Sequence, residues 1–190
     1  MPLKVIAEAD SISAELKDAM VAHLRSLNIE VEDLGINSYY NIGAEAGPRV
    51  SSATTSPSVE TRSLLARGTG VGVAIFANKF PGVFATTCLT RDEARNNRSI
   101  NNCNVLALSG MTTPIDTARE IVDTWLNTPF KSPCPASKSQ PWQEDREKFL
   151  DESMNEMPQI GAYEKSSLGP STYPFNITLI YFKRHINYIF

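Results

Sequence analysis

A glycine-rich turn, Gly68–Gly72, has the spacing in this sequence that most directly predicts a binding site. It follows the apolar run Leu64–Ala66, which is short enough to be a buried strand, and it leads into apolar residues that can begin a helix. A strand, a glycine turn and a helix in this order present backbone N–H groups and a positive helix end to an anion. Glycine also serves tight packing without any ligand, so anion binding and packing are both open interpretations.

The elements around the turn predict a doubly wound α/β domain over residues 1–130. Short apolar runs alternate with helical segments, which is the pattern of a five-stranded parallel sheet covered on both faces, a three-layer sandwich. The predicted strands are Leu3–Ala7, Ile29–Val31, Leu64–Ala66, Val83–Thr87 and Val105–Leu108. The predicted helices begin near Ser11 or Ser13, at Gly43, after the turn, at Thr90 with Glu93 as its capping-box partner, and at Thr113–Pro114. Breaks are predicted at Asn28, Asp33–Gly35 and Ser51–Ser58.

The ligand crevice of such a sheet is expected at the carboxyl ends of its strands. We therefore predict that three segments meet there: Glu8–Asp10, Arg67–Gly72 and Ile100–Asn104. Arg67 has two open interpretations, since it can hold a phosphate or pair with Glu8 or Asp10. Glu8 is the carboxylate in this crevice that could act as a catalytic base.

Composition and charge exclude several classes of function. The 190 residues carry a formal net charge of −3, which argues against a general binder of nucleic acid. Three cysteines without C-x-x-C spacing argue against a zinc knuckle or a disulfide framework. Neither a leader segment nor a membrane span is predicted, because the apolar C-terminal run is short and carries Lys183–Arg184. We expect a cytoplasmic protein with no membrane partner and no direct contact with nucleic acid.

The cysteines and histidines are predicted to be structural. Cys88 and Cys103 are expected to be small buried residues rather than nucleophiles, since no histidine stands near them in the sequence. His23 in the first helix and His185 near the C-terminus are not placed for catalysis.

The composition changes after Phe130. Residues 131–160 are predicted to form a proline-rich strap and a charged helix over Trp142–Met157. Residues 161–190 are predicted to form a separate tail, whose run Ile177–Phe182 has high β propensity.

Four stretches of the sequence together resemble the ribose-5-phosphate isomerase B and galactose-6-phosphate isomerase family. They are Gly68–Gly72, Ala77–Gly82, Asn101–Ala107 and Glu120–Leu126. Lys131–Pro135 is similar to a plant branch of the family that is associated with DNA-damage tolerance. The resemblance implies a Rossmann-like subunit that forms a homodimer, with each active site in a cleft shared between subunits. It also implies interconversion of an aldose phosphate and a ketose phosphate through an enediolate, with no metal and no other cofactor.

The resemblance also assigns roles to residues. Asp10 matches an aspartate that contacts the substrate near the ring-opening step, so it is a predicted catalytic and substrate-binding residue. Asn101 matches a substrate-contacting asparagine, and Ser11 and Arg67 are predicted to bind substrate as well. Thr69 is the second catalytic candidate, in an anion loop formed by Gly68, Thr69, Gly70, Val71 and Gly72.

The sequence departs from the family at positions that handle protons. The family's base, a cysteine just before the turn, is Arg67 here, and the glutamate that another branch uses just after the turn is Val73. The histidines expected for ring opening and after the strand-end aspartate are Ile100 and Ser11. Neither a permanently protonated guanidinium nor a valine can abstract a proton. Loss of the base together with the ring-opening histidine favours a binding protein on an isomerase fold.

Three functions remain open on the sequence. The chain can be a sugar-phosphate isomerase with weak or altered activity, a non-catalytic phosphosugar-binding or scaffold protein that keeps the fold and the dimer, or a nucleotide-binding protein. The third has the least support, since the glycine turn follows the third strand and lacks the G-x-G-x-x-G spacing of dinucleotide sites.

Overall fold

One sheet of five parallel strands forms the centre of the fold, as the sequence predicts. The strands are β1 (Leu3–Ala9), β2 (Glu30–Ile36), β3 (Glu60–Arg67), β4 (Ala85–Thr87) and β5 (Val105–Ser109). Their order across the sheet is β2-β1-β3-β5-β4, and every neighbouring pair is parallel. The helices are α1 (Ala14–Ser26), α2 (Tyr39–Ala53), α3 (Val71–Ala77), α4 (Arg91–Asn101), α5 (Ile115–Asn127) and α6 (Glu144–Glu156).

The computed structural model describes residues 2–53 and 58–157. Met1–Met157 form one compact unit. The predicted tail 161–190, with its run Ile177–Phe182 and with His185, lies outside the described residues.

Helices cover both faces of the sheet, because alternate side chains of a strand point to opposite sides. One core layer, shared with α1, α4 and α5, contains Val5, Leu64 and Leu106. The other, shared with α2 and α3, contains their sequence neighbours Ile6, Leu65 and Ala107. The central strands β1, β3 and β5 are therefore apolar on both faces, and the predicted three-layer α/β sandwich is confirmed.

Local sequence determines three helix boundaries. The Thr90 hydroxyl accepts a bond from the Glu93 amide and the Glu93 carboxylate accepts one from the Thr90 amide, each at 3.2 Å, so the predicted capping box is present. Past the end of α1, Asn28 takes a left-handed φ of 58°, which asparagine tolerates better than most residues. Pro114 caps α5, which begins one residue later than predicted.

β2, β3 and α2 each extend well beyond the bounds that the sequence predicts. β2 continues through Asp33–Gly35, predicted as a break, because its pairing with β1 resumes at Ile36 after a register shift. β3 begins at Glu60 rather than Leu64, because it pairs with β1 along its length. α2 begins at Tyr39 rather than at Gly43 and continues through Ala53, where the predicted helix ended at Ser52, because its apolar face is held against the sheet.

The segment 128–143, here called the strap, lies along α4. The Ser99 carbonyl oxygen accepts a 2.9 Å bond from the Lys131 amide, and the Ser99 hydroxyl donates a 2.5 Å bond to the Ser132 carbonyl oxygen. The Trp142 indole N–H donates to the same hydroxyl at 3.1 Å. The strap is thus anchored on the helix that ends in Asn101.

Candidate functional site

Asp10 and Arg67 meet at the carboxyl ends of β1 and β3. The Nε of Arg67 lies 3.7 Å from Oδ2 of Asp10. Oδ1 of Asp10 accepts a 2.9 Å bond from the Ser13 amide, in the short turn that begins at the exposed Ser11. Among the described residues, the ion pair foreseen for Arg67 is made with Asp10 and not with Glu8.

Tyr39, the first residue of α2, supports the guanidinium of Arg67. The guanidinium carbon lies 3.4 Å from the centroid of the Tyr39 ring. Tyr39 in turn packs edge-on against Phe76 of α3, with 5.5 Å between ring centroids and 89° between ring planes. Sequence reasoning missed this contact, since Tyr39 precedes the segment predicted to be helical and no local pattern connects it with Arg67.

Packing alone requires two of the turn's glycines. Gly70 has a φ of 76°, and a Cβ there would lie 2.9 Å from Cγ2 of Thr87 and 3.0 Å from the carbonyl oxygen of Leu108. A Cβ at Gly72 would lie 2.5 Å from the Tyr39 hydroxyl oxygen. The packing interpretation of the turn is therefore correct at both positions, whether or not an anion binds.

The turn also offers backbone donors for a ligand. A Cβ at Gly68 would have as its nearest neighbour the Sδ of Met111, at 3.2 Å, which is near the end of a flexible side chain. The amides of Thr69, Val71 and Gly72 donate to no acceptor within the described residues. Neighbouring free amides of this kind can bind an anionic oxygen.

Four buried side-chain polar atoms of residues 2–53 and 58–157 lack a hydrogen-bond partner, and all four belong to this edge of the sheet. They are Oε2 of Glu8, Oγ of Ser13, Nε of Arg67 and Oγ1 of Thr113. Glu8 and Arg67 lie at the ends of β1 and β3, while Ser13 and Thr113 follow β1 and β5. An unpaired buried polar group costs roughly 1–3 kcal/mol. The described residues therefore leave polar groups unsatisfied at this edge of the sheet.

Glu8 is fully buried, on the face of β1 that α2 covers. Its Oε1 accepts a 3.0 Å bond from the Asn37 side-chain amide. Burial raises the pKa of Glu8 to about 7, and the Asn37 amide offsets only part of that effect. The carboxyl group is therefore divided between its protonated and ionised forms near neutral pH.

The Ile100–Asn104 segment lies at the opposite edge of the sheet, so its predicted place in this crevice is wrong for a single subunit. Asn101 ends α4, and Asn104 immediately precedes β5. The Asn104 carbonyl oxygen accepts a 2.9 Å bond from the amide of Ser63, in the first half of β3 and remote from Arg67. A segment that leads into a strand lies at the strand's amino end. A role for Asn101 in a cleft shared between two subunits stays a prediction.

The thiols and His23 are placed as structural residues. Burial raises the pKa of Cys88 to about 11 and that of Cys103 to about 12, so neither is a ready thiolate. Nε2 of His23 lies 2.6 Å from Oδ1 of Asp123, which links α1 to α5.

In the described ranges, no group of three or more His, Cys, Asp or Glu residues could hold a metal ion. No helix in the same ranges is long and apolar enough to span a bilayer.

The match of this chain to a family model decides its relationship to known proteins. The model described as Ribose/Galactose Isomerase matches residues 5–140, which include the site and all five strands except the first two residues of β1. The chain belongs to the ribose/galactose isomerase family.

Individual relatives support this assignment to the ribose/galactose isomerase family. DNA damage-repair/toleration protein DRT102 of Arabidopsis thaliana is 60% identical over 171 residues, 90% of this chain and 53% of that protein, so the chain spans about half the length of this relative. Ribose-5-phosphate isomerase B of Escherichia coli K12 is 33% identical over 129 residues, 67% of this chain and 86% of that one. The crystal structure of ribose 5-phosphate isomerase B of Thermotoga maritima matches with a TM-score of 0.64 at 29% identity, over 82% of this chain and 97% of that one. The Rossmann-like fold and the resemblance to a plant branch are thereby confirmed.

Proposed function

We propose that this chain binds a phosphosugar at the carboxyl edge of β1, β3 and β5 and does not isomerise ribose 5-phosphate at an enzyme's rate. Membership of the ribose/galactose isomerase family supports a phosphosugar as the ligand. The observation that carries the proposal is Arg67, whose guanidinium lies beside the turn against Asp10 and Tyr39. A guanidinium stays protonated at neutral pH and cannot take a proton from a sugar carbon.

The residues at this edge supply the donors that such a ligand needs. The free amides of Thr69, Val71 and Gly72 can hold an anionic oxygen. General acid–base catalysis typically contributes roughly 10²–10⁴-fold to a rate, so a site that binds without a base is expected to lose about that much turnover.

We also propose a homodimer, because a second subunit is needed to complete the site. Asn101 lies at the amino edge of the sheet, so within one subunit it cannot reach the turn. Exposed apolar side chains near the turn offer a surface for the contact between subunits, and they include Val71, Ile75, Tyr40 and Met111. Exposed apolar surface of this kind marks interaction sites.

A weak isomerase is the second candidate function, and one observation favours it. Glu8 is a buried carboxyl group with an unpartnered oxygen and a pKa of about 7, which suits a general base near neutral pH. If Glu8 is the base, Glu8→Gln abolishes turnover of ribose 5-phosphate while binding persists.

The cellular setting is part of the proposal. The name of the Arabidopsis relative is the support for a link to DNA-damage tolerance, and the net charge of −3 favours a link through a phosphosugar over one through contact with DNA. Three free buried cysteines, Cys88, Cys103 and Cys134, fit the reducing cytoplasm, which is the location we propose.

Titration calorimetry of the full chain with ribose 5-phosphate, ribose and inorganic phosphate tests the binding proposal. Gly68→Val places a side chain beside the free amides, where the nearest neighbour of its Cβ is the flexible end of Met111, so we expect affinity for ribose 5-phosphate to fall roughly tenfold or more. Ala22→Val, an exposed substitution on α1, is the matched control and should bind as the wild type does. Absence of phosphate-dependent binding, or equal binding by Gly68→Val, contradicts the proposal.

A further inference from the structure

The guanidinium of Arg67 is held in place, yet its outer donors are unused. Its carbon lies 3.4 Å from the Tyr39 ring centroid, and its Nε lies 3.7 Å from Oδ2 of Asp10, which is beyond hydrogen-bond reach. Neither Nη nitrogen donates to any described residue, and the Arg67 side chain is 30% exposed. The two contacts fix the plane of the guanidinium and leave its Nη edge open to solvent.

An arginine fixed in this way presents a two-pronged donor to an oxyanion. The guanidinium fork matches a carboxylate bidentately, which a lysine ammonium cannot do. The Tyr39 ring occupies one side of the guanidinium, so a planar carboxylate that pairs along the Nη edge fits without displacing the ring. The Asp10 carboxylate faces Nε, and so it leaves the Nη donors for a ligand.

We propose that the preferred ligand is a phosphorylated sugar acid, whose carboxylate pairs with the Arg67 fork. This inference rests on the proposed phosphosugar site and names the class of its ligand. An aldose phosphate offers a neutral carbonyl or hemiacetal group to Arg67, whereas a sugar acid offers a permanent negative charge. Hydrogen bonds between charged partners are about twice as strong as those between neutral ones.

Calorimetric titration of the full chain with D-ribonate 5-phosphate and with its neutral counterpart D-ribitol 5-phosphate tests the inference. We expect the wild type to bind the ribonate roughly tenfold or more tightly than the ribitol. Arg67→Met keeps the length of the side chain without its charge and should bring the two Kd values together. Arg67→Lys should keep only part of the preference, because lysine offers a point charge rather than a fork. Arg119→Met, which removes an exposed arginine from α5, is the matched control and should keep the full preference.

Several outcomes overturn the inference. Equal affinity of the wild type for the two ligands does so, and so does a preference that survives Arg67→Met. An equal loss of affinity for both ligands in Arg67→Met also does so, because it assigns Arg67 to the phosphate group. If Arg67→Met does not fold, as judged by its melting temperature, full preference in Arg67→Lys contradicts bidentate pairing.

A titration with D-ribose 5-phosphate separates this inference from the proposed function. Binding of ribose 5-phosphate without a preference for the ribonate leaves the phosphosugar site intact and removes only the sugar-acid inference. Failure of the wild type to bind any of the three phosphorylated ligands removes both.

Discussion

The Arg67 guanidinium lies over the Tyr39 ring, with 3.4 Å between the guanidinium carbon and the ring centroid. β3 supplies the arginine and the first turn of α2 supplies the tyrosine. The tyrosine rests edge-on against Phe76, so the stack joins three elements around the glycine turn. The candidate site therefore depends on packing between distant segments as much as on the turn's own spacing.

The aromatic ring of Tyr39 is expected to contribute more to the stability of the fold than its hydroxyl group does. Tyr39→Leu removes the support of Arg67 and the edge-on contact with Phe76, so we expect the free energy of unfolding to fall by about 1–2 kcal/mol. Tyr39→Phe keeps the ring and should remain within about 0.5 kcal/mol of the wild type. Denaturant unfolding of the three proteins measures both effects. Equal stability of Tyr39→Leu and the wild type would show that the stack contributes nothing.

Glu8 is expected to make stability depend on pH. Its pKa in the folded chain is about 7, above its ordinary value of 4.5, so the folded state holds the Glu8 proton more tightly than the unfolded state. The stabilising effect is complete below pH 4.5 and is lost as the pH rises through 7. A shift of this size corresponds to a loss on the order of 3 kcal/mol.

Urea unfolding of the wild type and Glu8→Gln between about pH 5 and pH 8 measures this loss. The neutral amide of the variant removes the titration, so the difference in unfolding free energy between the two proteins should change across this range in the variant's favour. Glu120→Gln, at an exposed position on α5, is the matched control and should follow the wild type. A constant difference between the wild type and Glu8→Gln over the whole range would rule out a buried titrating Glu8.

The glycines of the turn are expected to differ in their contribution to stability. At Gly70 a methyl group would meet Thr87 and Leu108 in a left-handed backbone, so Gly70→Ala should lower the unfolding free energy by about 2–4 kcal/mol. At Gly68 a methyl group would meet only the end of Met111, and Gly68→Ala should cost less than about 1 kcal/mol. The denaturation midpoints of Gly70→Ala, Gly68→Ala and the wild type measure both losses of stability. Equal losses in the two variants would contradict the packing described for the turn.

The sequence predicted those features of the fold that depend on residues close together in the chain. The buried run of β5, the Thr90–Glu93 capping box and the left-handed Asn28 each depend on residues close in sequence. The extension of β2 past Gly35 and the early start of β3 depend on pairing with β1, which the sequence of either segment alone does not reveal.

The sequence predicted the site residues at the ends of the strands, but not those that other segments contribute. Asp10 and Arg67 follow from the rule that ligands bind where parallel strands end. Tyr39 and Thr113 join the site only through the fold, since neither belongs to a motif. The prediction that Asn101 lies in this crevice is wrong for a single subunit, because a motif match does not show which edge of the sheet a segment reaches.

The central claim is that the site binds a phosphosugar without abstracting a proton from it. Proton NMR of ribose 5-phosphate in D₂O with the full chain tests this most directly. Saturation transferred from protein to ligand reports binding, while loss of the C2 proton signal reports exchange through an enediolate. Ribose-5-phosphate isomerase B of Escherichia coli serves as the positive control. We expect saturation transfer to the sugar with a persistent C2 proton signal; loss of that signal at a rate near the control's, or absence of saturation transfer, would contradict the account.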